Sequence, residues 1–426
     1  MYGYILSRPP PFYVVRGGPH APECCSRLGA PDSSGYNVNP FEIKLSSEAD
    51  RMKMLVQQTR LPETSVLGDS GSGVELSWLR ARQKDWIERF NWEKQQREMN
   101  RFNHSTVEIG NMTVHFIHQR SSNPHAIPLL LTHGWPGSFY EFREVIGPLS
   151  NAGNQSNTSF HVIVPSLPGF GFSSPAPPNW TLNNTADLFN TLITEVLGYK
   201  SYAAVGGDWG CVVTWGLHNN HPENVKAVLY TGLIPQLGPS LDDLKKDPNF
   251  ANKVETLGDA EKQRIQYNAI FPTYGWGYFL EQSTRPATIG LALVDNPIGQ
   301  LSWIGEKYLF GDPLMGTSPS TLDNNTIMTT VSLYFLTRTF ETSINTYYQN
   351  PKEFTPSVMR RATNNIPMGF ASYKYEAQYF PQFYLAQVGN LVYYSEHERG
   401  GHFSALDNPP AYLADVRNMM GRWYTP

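Results

Sequence analysis

The chain is short of cysteine, has no basic tract and has no long apolar run, and each shortage narrows what it can be. Its 426 residues include only three cysteines, Cys24, Cys25 and Cys211. Adjacent cysteines such as Cys24 and Cys25 rarely pair, and Cys211 stands alone, so neither a disulfide framework nor a thiolate metal site is spelled out. No apolar stretch approaches the ~20 residues needed to cross a bilayer. The opening MYGYILSRPPPFYVV has too short an apolar core for a signal peptide. Lys and Arg form no run and the formal net charge is −4, which argues against a nucleic-acid groove. These shortages predict a soluble, cytoplasmic protein, while sequons between Asn103 and Asn324 leave secretion open.

Hydrophobic residues make up 40% and charged residues 16% of the chain, enough for a sizeable globular core. The length suits two average domains, or one large α/β domain with an insertion. Residues 1–39 hold PPP, GG and SS without periodicity and read as a disordered extension. Residues 41–45 alternate like a short strand. Ser46 then reads as the N-cap of a helix to about Thr59, ended by Pro62. Residues 76–99 form a long amphipathic helical region whose Trp78, Trp86, Phe90 and Trp92 are expected to pack on the main domain. Apolar or alternating strands at 113–119, 127–131, 160–164, 202–205 and 225–230 are interleaved with helices at 181–198 and 211–218. That alternation predicts a mostly parallel sheet with helices on both faces. From 235 to 356 the pattern turns helical and aromatic, an insertion that reads as a lid. Strands return at 367–373 and 391–395, and a helix over 410–424 closes the chain.

Three short stretches carry chemistry. In the first, a small-residue strand runs into GGDWG and then an apolar helix, the layout of a nucleophile elbow. Its central residue is Asp208. A carboxylate there opens a strained or activated carbon–oxygen or carbon–halogen bond by displacement and becomes an ester. An N-cap role alone leaves the glycines on both sides unexplained. The second stretch is HGWPGS, after the strand at 127–131. It offers the Trp135 N–H, which with the Trp209 N–H after the nucleophile makes an oxyanion hole; the plainer alternative is a strand-to-loop turn with His133 bonded structurally. The third is GGHF. Its His402, late in the chain, reads as a general base, and nearby His397 has no glycine pair to expose it.

The set GGDWG, HGWPGS, GGHF and STRPATIG resembles the epoxide hydrolases of the microsomal type, including their soluble fungal members. The stretches PFEIKLSSEADRMKMLVQQTRLPE and WEKQQREMNRFNHSTVEIGNMTVHFIHQRS are similar to that family's N-terminal domain. The resemblance runs from about Pro40 to the C-terminus. It implies an α/β-hydrolase fold with the family's N-terminal region at 40–120, the core at 121–234 and 357–426, and a helical lid at 235–356. It implies Asp208 as nucleophile, His402 as base and Glu376 as its acid partner, since Glu376 follows the penultimate strand; Asp407 and Glu396 are nearer in sequence but do not. It also implies Tyr278 and Tyr347 as lid phenols, with Tyr274 and Tyr348 as adjacent rivals. The partners implied are a small apolar epoxide and water, with a homodimer left open and no metal or organic cofactor. Two other readings stand beside it. A haloalkane or haloacid dehalogenase uses the same Asp–His steps, and Trp209 suits halide binding. A non-catalytic protein that kept the fold predicts a gap in the constellation.

Overall fold

The apolar runs become the strands of one sheet. In the computed structural model, which describes residues 35–68, 71–151, 158–311, 313–354 and 359–426, the strands in chain order are β1 (Val38–Pro40), β2 (His104–Ile109), β3 (Met112–Gln119), β4 (Ile127–Thr132), β5 (Phe160–Pro165), β6 (Tyr202–Gly206), β7 (Val225–Thr231), β8 (Met368–Tyr375) and β9 (Leu391–Gly401). They pair in the order β1-β2-β3-β5-β4-β6-β7-β8-β9. The first pairings, through β3 with β5, are antiparallel. From β5 to β9 every pairing is parallel. β5 and β6 are buried along their whole length, because a parallel sheet covered on both faces has no polar side. The architecture is the α/β hydrolase fold.

Several local expectations move. The first 34 residues of the expected extension lie outside the described residues, but Val38–Pro40 forms the edge strand β1. Residues 41–45 are not a strand, because the backbone donors of residues 43 and 45 go to side chains: Asn100 Oδ1 accepts from Ile43 N–H at 2.9 Å and Gln96 Oε1 from Leu45 N–H at 2.6 Å. Ser46 is not the cap but the first residue of helix Ser46–Gln58. The region 76–99 breaks into Leu76–Glu88 and Trp92–Met99, the second capped by the Asn91 side chain, which accepts from Lys94 N–H at 2.8 Å. β2 was not foreseen; it pairs with β3 across Gly110-Asn111, where Gly110 supplies a φ of 59°. The helix expected over 181–198 is α-helical over Leu182–Thr191 and continues as a π turn, Leu192–Val196.

The insertion between β7 and β8 is helical from Leu241–Lys246 to Phe340–Gln349. The N-terminal helices Ser46–Gln58 and Leu76–Glu88 lie against its helices Pro297–Gly311 and Asn324–Thr337. Trp78 explains why: its ring covers Gly305, where a Cβ would come within 2.8 Å of it. The N-terminal region therefore packs on the helical insertion. Among the described residues no helix is long and apolar enough to cross a membrane.

Candidate active site

The carboxyl ends of three parallel strands meet in one place, as ligand sites do in α/β sheets. Asp208 stands two residues past β6, Glu376 follows the last residue of β8, and His402 follows the last residue of β9. Asp208 has a φ of 47°, a left-handed backbone that a non-glycine residue adopts only under constraint. The constraint is the close approach of the elbow to β4. A Cβ on Gly210 would fall 2.2 Å from the Thr132 carbonyl oxygen, and the Thr132 hydroxyl bridges the Val205 and Gly210 carbonyls at 3.0 and 3.1 Å. Asp208 also opens helix Asp208–Asn220, whose N-terminal dipole favours negative charge.

The HGWPGS turn wraps over this carboxylate. Asp208 Oδ1 accepts from the Trp135 N–H at 2.7 Å. Gly134 is needed beneath it, since a Cβ there would fall 2.0 Å from the same oxygen. The Trp209 N–H belongs to the first helical turn, where backbone donors have no intrahelical acceptor. His133 is buried and serves the turn itself. Its Nε2 accepts from Leu167 N–H at 3.2 Å and its Nδ1 faces the Gly134 carbonyl at 3.0 Å. Burial lowers its pKa to about 4, so it is a neutral structural group.

His402 Nε2 lies 3.5 Å from Asp208 Oδ2, and its Nδ1 lies 3.0 and 3.1 Å from the two Glu376 oxygens. Burial opposes charge on the imidazole, but the Glu376 and Asp208 carboxylates outweigh it and hold the pKa well above the ordinary range. Above this trio sit two lid phenols. Tyr278 stacks on Trp135 at 5.7 Å between ring centroids, Tyr347 meets Trp209 edge-on at 4.7 Å, and the two tyrosines meet each other at 6.1 Å. Desolvation first, then the nearby Asp208 charge, raises Tyr278; burial, then Tyr278 and Asp208, raises Tyr347. Both therefore stay protonated donors. Their sequence rivals face outward, Tyr274 85% and Tyr348 56% exposed against 1% for Tyr347.

A model of the epoxide hydrolase N terminus matches residues 38–142, and one of the alpha/beta hydrolase fold matches residues 127–265. Epoxide hydrolase 1 of Sus scrofa is 30% identical over 417 residues, spanning 90% of this chain and 89% of the pig protein. The chain belongs to the epoxide hydrolase family. It is an enzyme that hydrolyses epoxides. The solved Aspergillus niger epoxide hydrolase is 33% identical, with a TM-score of 0.79 over 91% of this chain and 97% of that one. The juvenile hormone epoxide hydrolase of the silkworm Bombyx mori is 26% identical, also at 0.79, over 91% and 95%.

In this epoxide hydrolase Asp407 and Glu396, the two rivals of Glu376 that lie nearer His402 in sequence, have other work. Asp407 Oδ2 accepts from the Gly401 and Phe403 N–H groups at 3.1 and 3.0 Å and so shapes the histidine loop. Glu396 takes the Tyr379 and Tyr394 hydroxyls, and His397 pairs with Asp415 at 2.7 Å. Three contributors escaped sequence reasoning. Tyr334 donates to the Gly137 carbonyl at 2.8 Å, and Tyr308 donates to the Pro136 carbonyl at 3.3 Å while stacking on Phe403 at 4.0 Å. Helices of the insertion thus hold both the HGWPGS turn and the histidine loop. With 23 tyrosines in the chain, no local signal marks these two. The third is Glu141, which lines the cavity beside Asp208 and His402; its place just beyond HGWPGS is the one clue it left. Among the described residues no cluster of ligating side chains fits a metal ion.

Proposed function

We propose that this epoxide hydrolase works on small apolar epoxides in two covalent steps. Asp208 Oδ2 attacks a ring carbon, the ring carbon–oxygen bond breaks, and the leaving oxygen takes a proton from the Tyr278–Tyr347 pair. Phenols suit this task, because an alkoxide leaves poorly and a nearby donor lowers that barrier. The product is a hydroxyalkyl ester on Asp208. Water then adds to the Asp208 carboxyl carbon while His402 Nε2 takes its proton. The Trp135 and Trp209 N–H groups carry the oxyanion. Collapse breaks the ester bond, the diol oxygen recovers the proton from His402, and the proton left on the Asp208 carboxyl group passes to His402, which restores the carboxylate and the imidazolium.

Alkylation itself readies the base. While Asp208 is anionic, two carboxylates hold a proton on His402. Once Asp208 is an ester, one of those charges is gone and the imidazole releases its proton more easily, which replaces the proton that the phenol pair gave to the leaving oxygen. The observation that carries the reading is His402 seated between Glu376 and Asp208 at 3.0 and 3.5 Å, with the other Asp208 oxygen already on a backbone donor.

The test is His402→Gln treated with an excess of an aryl or alkyl oxirane. Intact mass should rise by the mass of one epoxide and stay there; an unmodified protein would sink the two-step scheme. A dehalogenase reading draws on the buried indole N–H of Trp135, which has no hydrogen-bond partner among the described residues. Assaying oxiranes beside halogenated analogues, with diol and halide both measured, separates the two. Diol without halide is expected.

A further inference from the structure

The two glycines of the HGWPGS turn each give up their side-chain space to a carboxyl group. A Cβ on Gly134 would lie 2.0 Å from Asp208 Oδ1, and a Cβ on Gly137 would lie 2.2 Å from Glu141 Oε2. One turn therefore sets both acids against the same small space. That space is a cavity of about 10 Å³, bordered by Gly134, Trp135, Gly137, Glu141, Asp208 and His402 among others. It is close to the room one water molecule takes. Neither Tyr278 nor Tyr347 borders it.

We propose that Glu141 and His402 together hold in this chamber the water that hydrolyses the Asp208 ester, Glu141 fixing its orientation. The inference rests on the two-step reading above. A water that attacks the ester needs two acceptors for its hydrogens and a free lone pair aimed at the carbonyl carbon. His402 Nε2 supplies one acceptor. Glu141 supplies the other, and neither of its carboxyl oxygens has a hydrogen-bond partner among the described residues. A carboxyl group that faces a small cavity without a protein partner calls for such an explanation.

The charge state suits the task. Burial raises the Glu141 pKa to about 8, with His402 pulling it down and Asp208 pushing it up. The remaining titratable groups that feel it are Tyr308 and Tyr334 of the lid helices and Tyr412 of the terminal helix, all neutral phenols at working pH. At neutral pH Glu141 is thus a carboxylic acid. Its carbonyl oxygen accepts from the water without adding a second negative charge beside that of Glu376 at His402. In the hydrolytic step one water O–H bond breaks, its proton passes to His402 Nε2, and the new carbon–oxygen bond forms at Asp208. Glu141 keeps its own proton throughout and is a positioning residue.

The experiment follows the two steps separately in Glu141→Gln, Glu141→Leu and His402→Gln, using stopped-flow tryptophan fluorescence for ester formation and quenched intact-mass measurement for ester decay. Glutamine keeps the carbonyl acceptor and leucine removes it. The expected result is ester decay slowed about 10- to 100-fold in Glu141→Leu, the rate equivalent of one lost hydrogen bond in a closed site. Decay should stay within about threefold of the parent in Glu141→Gln, with ester formation little changed in both. Decay at the parent rate in Glu141→Leu overturns the inference. So does ester formation falling in step with decay, or a glutamine variant as slow as the leucine one. If even His402→Gln forms no ester, it is the two-step reading that fails instead.

Discussion

Replacing Glu376 by glutamine isolates the electrostatic work of the carboxylate from its geometry. Both Glu376 oxygens lie within 3.1 Å of His402 Nδ1, and the side chain is 2% exposed. Its Oε1 also accepts from Ala377 N–H at 2.7 Å, and Gly232, with a φ of 79°, leaves room for Oε2, where a Cβ would come within 2.3 Å. A glutamine fits that space and keeps an acceptor, so the imidazole stays oriented, but the negative charge is lost. Two unit charges about 4 Å apart attract by about 4 kcal/mol at an effective dielectric near 20. Opposite charge at such range moves a pKa by about 1–3 units, or about 1.4–4 kcal/mol. The imidazolium forms while Asp208 is an uncharged ester, so Glu376 is then its nearest countercharge. Ester hydrolysis should slow about 10- to 10³-fold, while ester formation, which needs no base, changes little. The sign of the pH effect follows. Glu376 holds the His402 pKa up, so its removal lets the imidazole deprotonate at lower pH, and the acid limb of the hydrolytic step should move down. Single-turnover fluorescence across pH reads both. Unchanged hydrolysis, an acid limb that moves up, or ester formation falling as much as hydrolysis would refute the assignment.

The lid tyrosines give a paired contrast. Tyr278→Phe and Tyr347→Phe should each slow ester formation about 10- to 100-fold, the loss of one hydrogen bond to a developing charge. Tyr274→Phe and Tyr348→Phe, on the exposed surface, should match the parent; a single-turnover series that ranks them otherwise rules out the Tyr278–Tyr347 pair. Gly134→Ala puts a methyl group where Asp208 Oδ1 sits, so activity should fall at least ~100-fold with the circular dichroism spectrum kept, and a fully active variant would show that the turn yields freely. Acid should weaken the fold through His133 and His218, both lowered to about 4 by burial. Their folded pKa lies below the ordinary 6.5, so their contribution is present above about pH 6.5 and is lost as pH falls through about 4. It amounts to about 3 kcal/mol each at full effect. Denaturant midpoints measured from pH 7 to 4 should fall, and His218→Gln should flatten the slope; a flat profile in the parent contradicts it.

Strands β4 to β8 and the elbow were legible because their signals are local. A buried parallel strand must be apolar along its length, and a tight strand-to-helix bend must be flanked by glycine, whatever surrounds it. The end of β9 was less legible. Glu396, His397, Glu398 and Arg399 carry the strand on to Gly401, because it pairs on one side only and its side chains are largely half-buried or exposed. The β1 edge was misjudged because Asn100 and Gln96, more than 50 residues away, take the backbone donors of residues 43 and 45.

From the order of residues alone came the acid at the elbow, the histidine at the end of the last strand and the glycine-rich turn, since each is written within a dozen neighbouring positions. Choosing Tyr347 over Tyr348, packing the N-terminal helices on the helical insertion and folding Glu141 against Gly137 needed the assembled molecule. Those outcomes depend on which surfaces bury each other across long stretches of chain, and no short window of sequence records that.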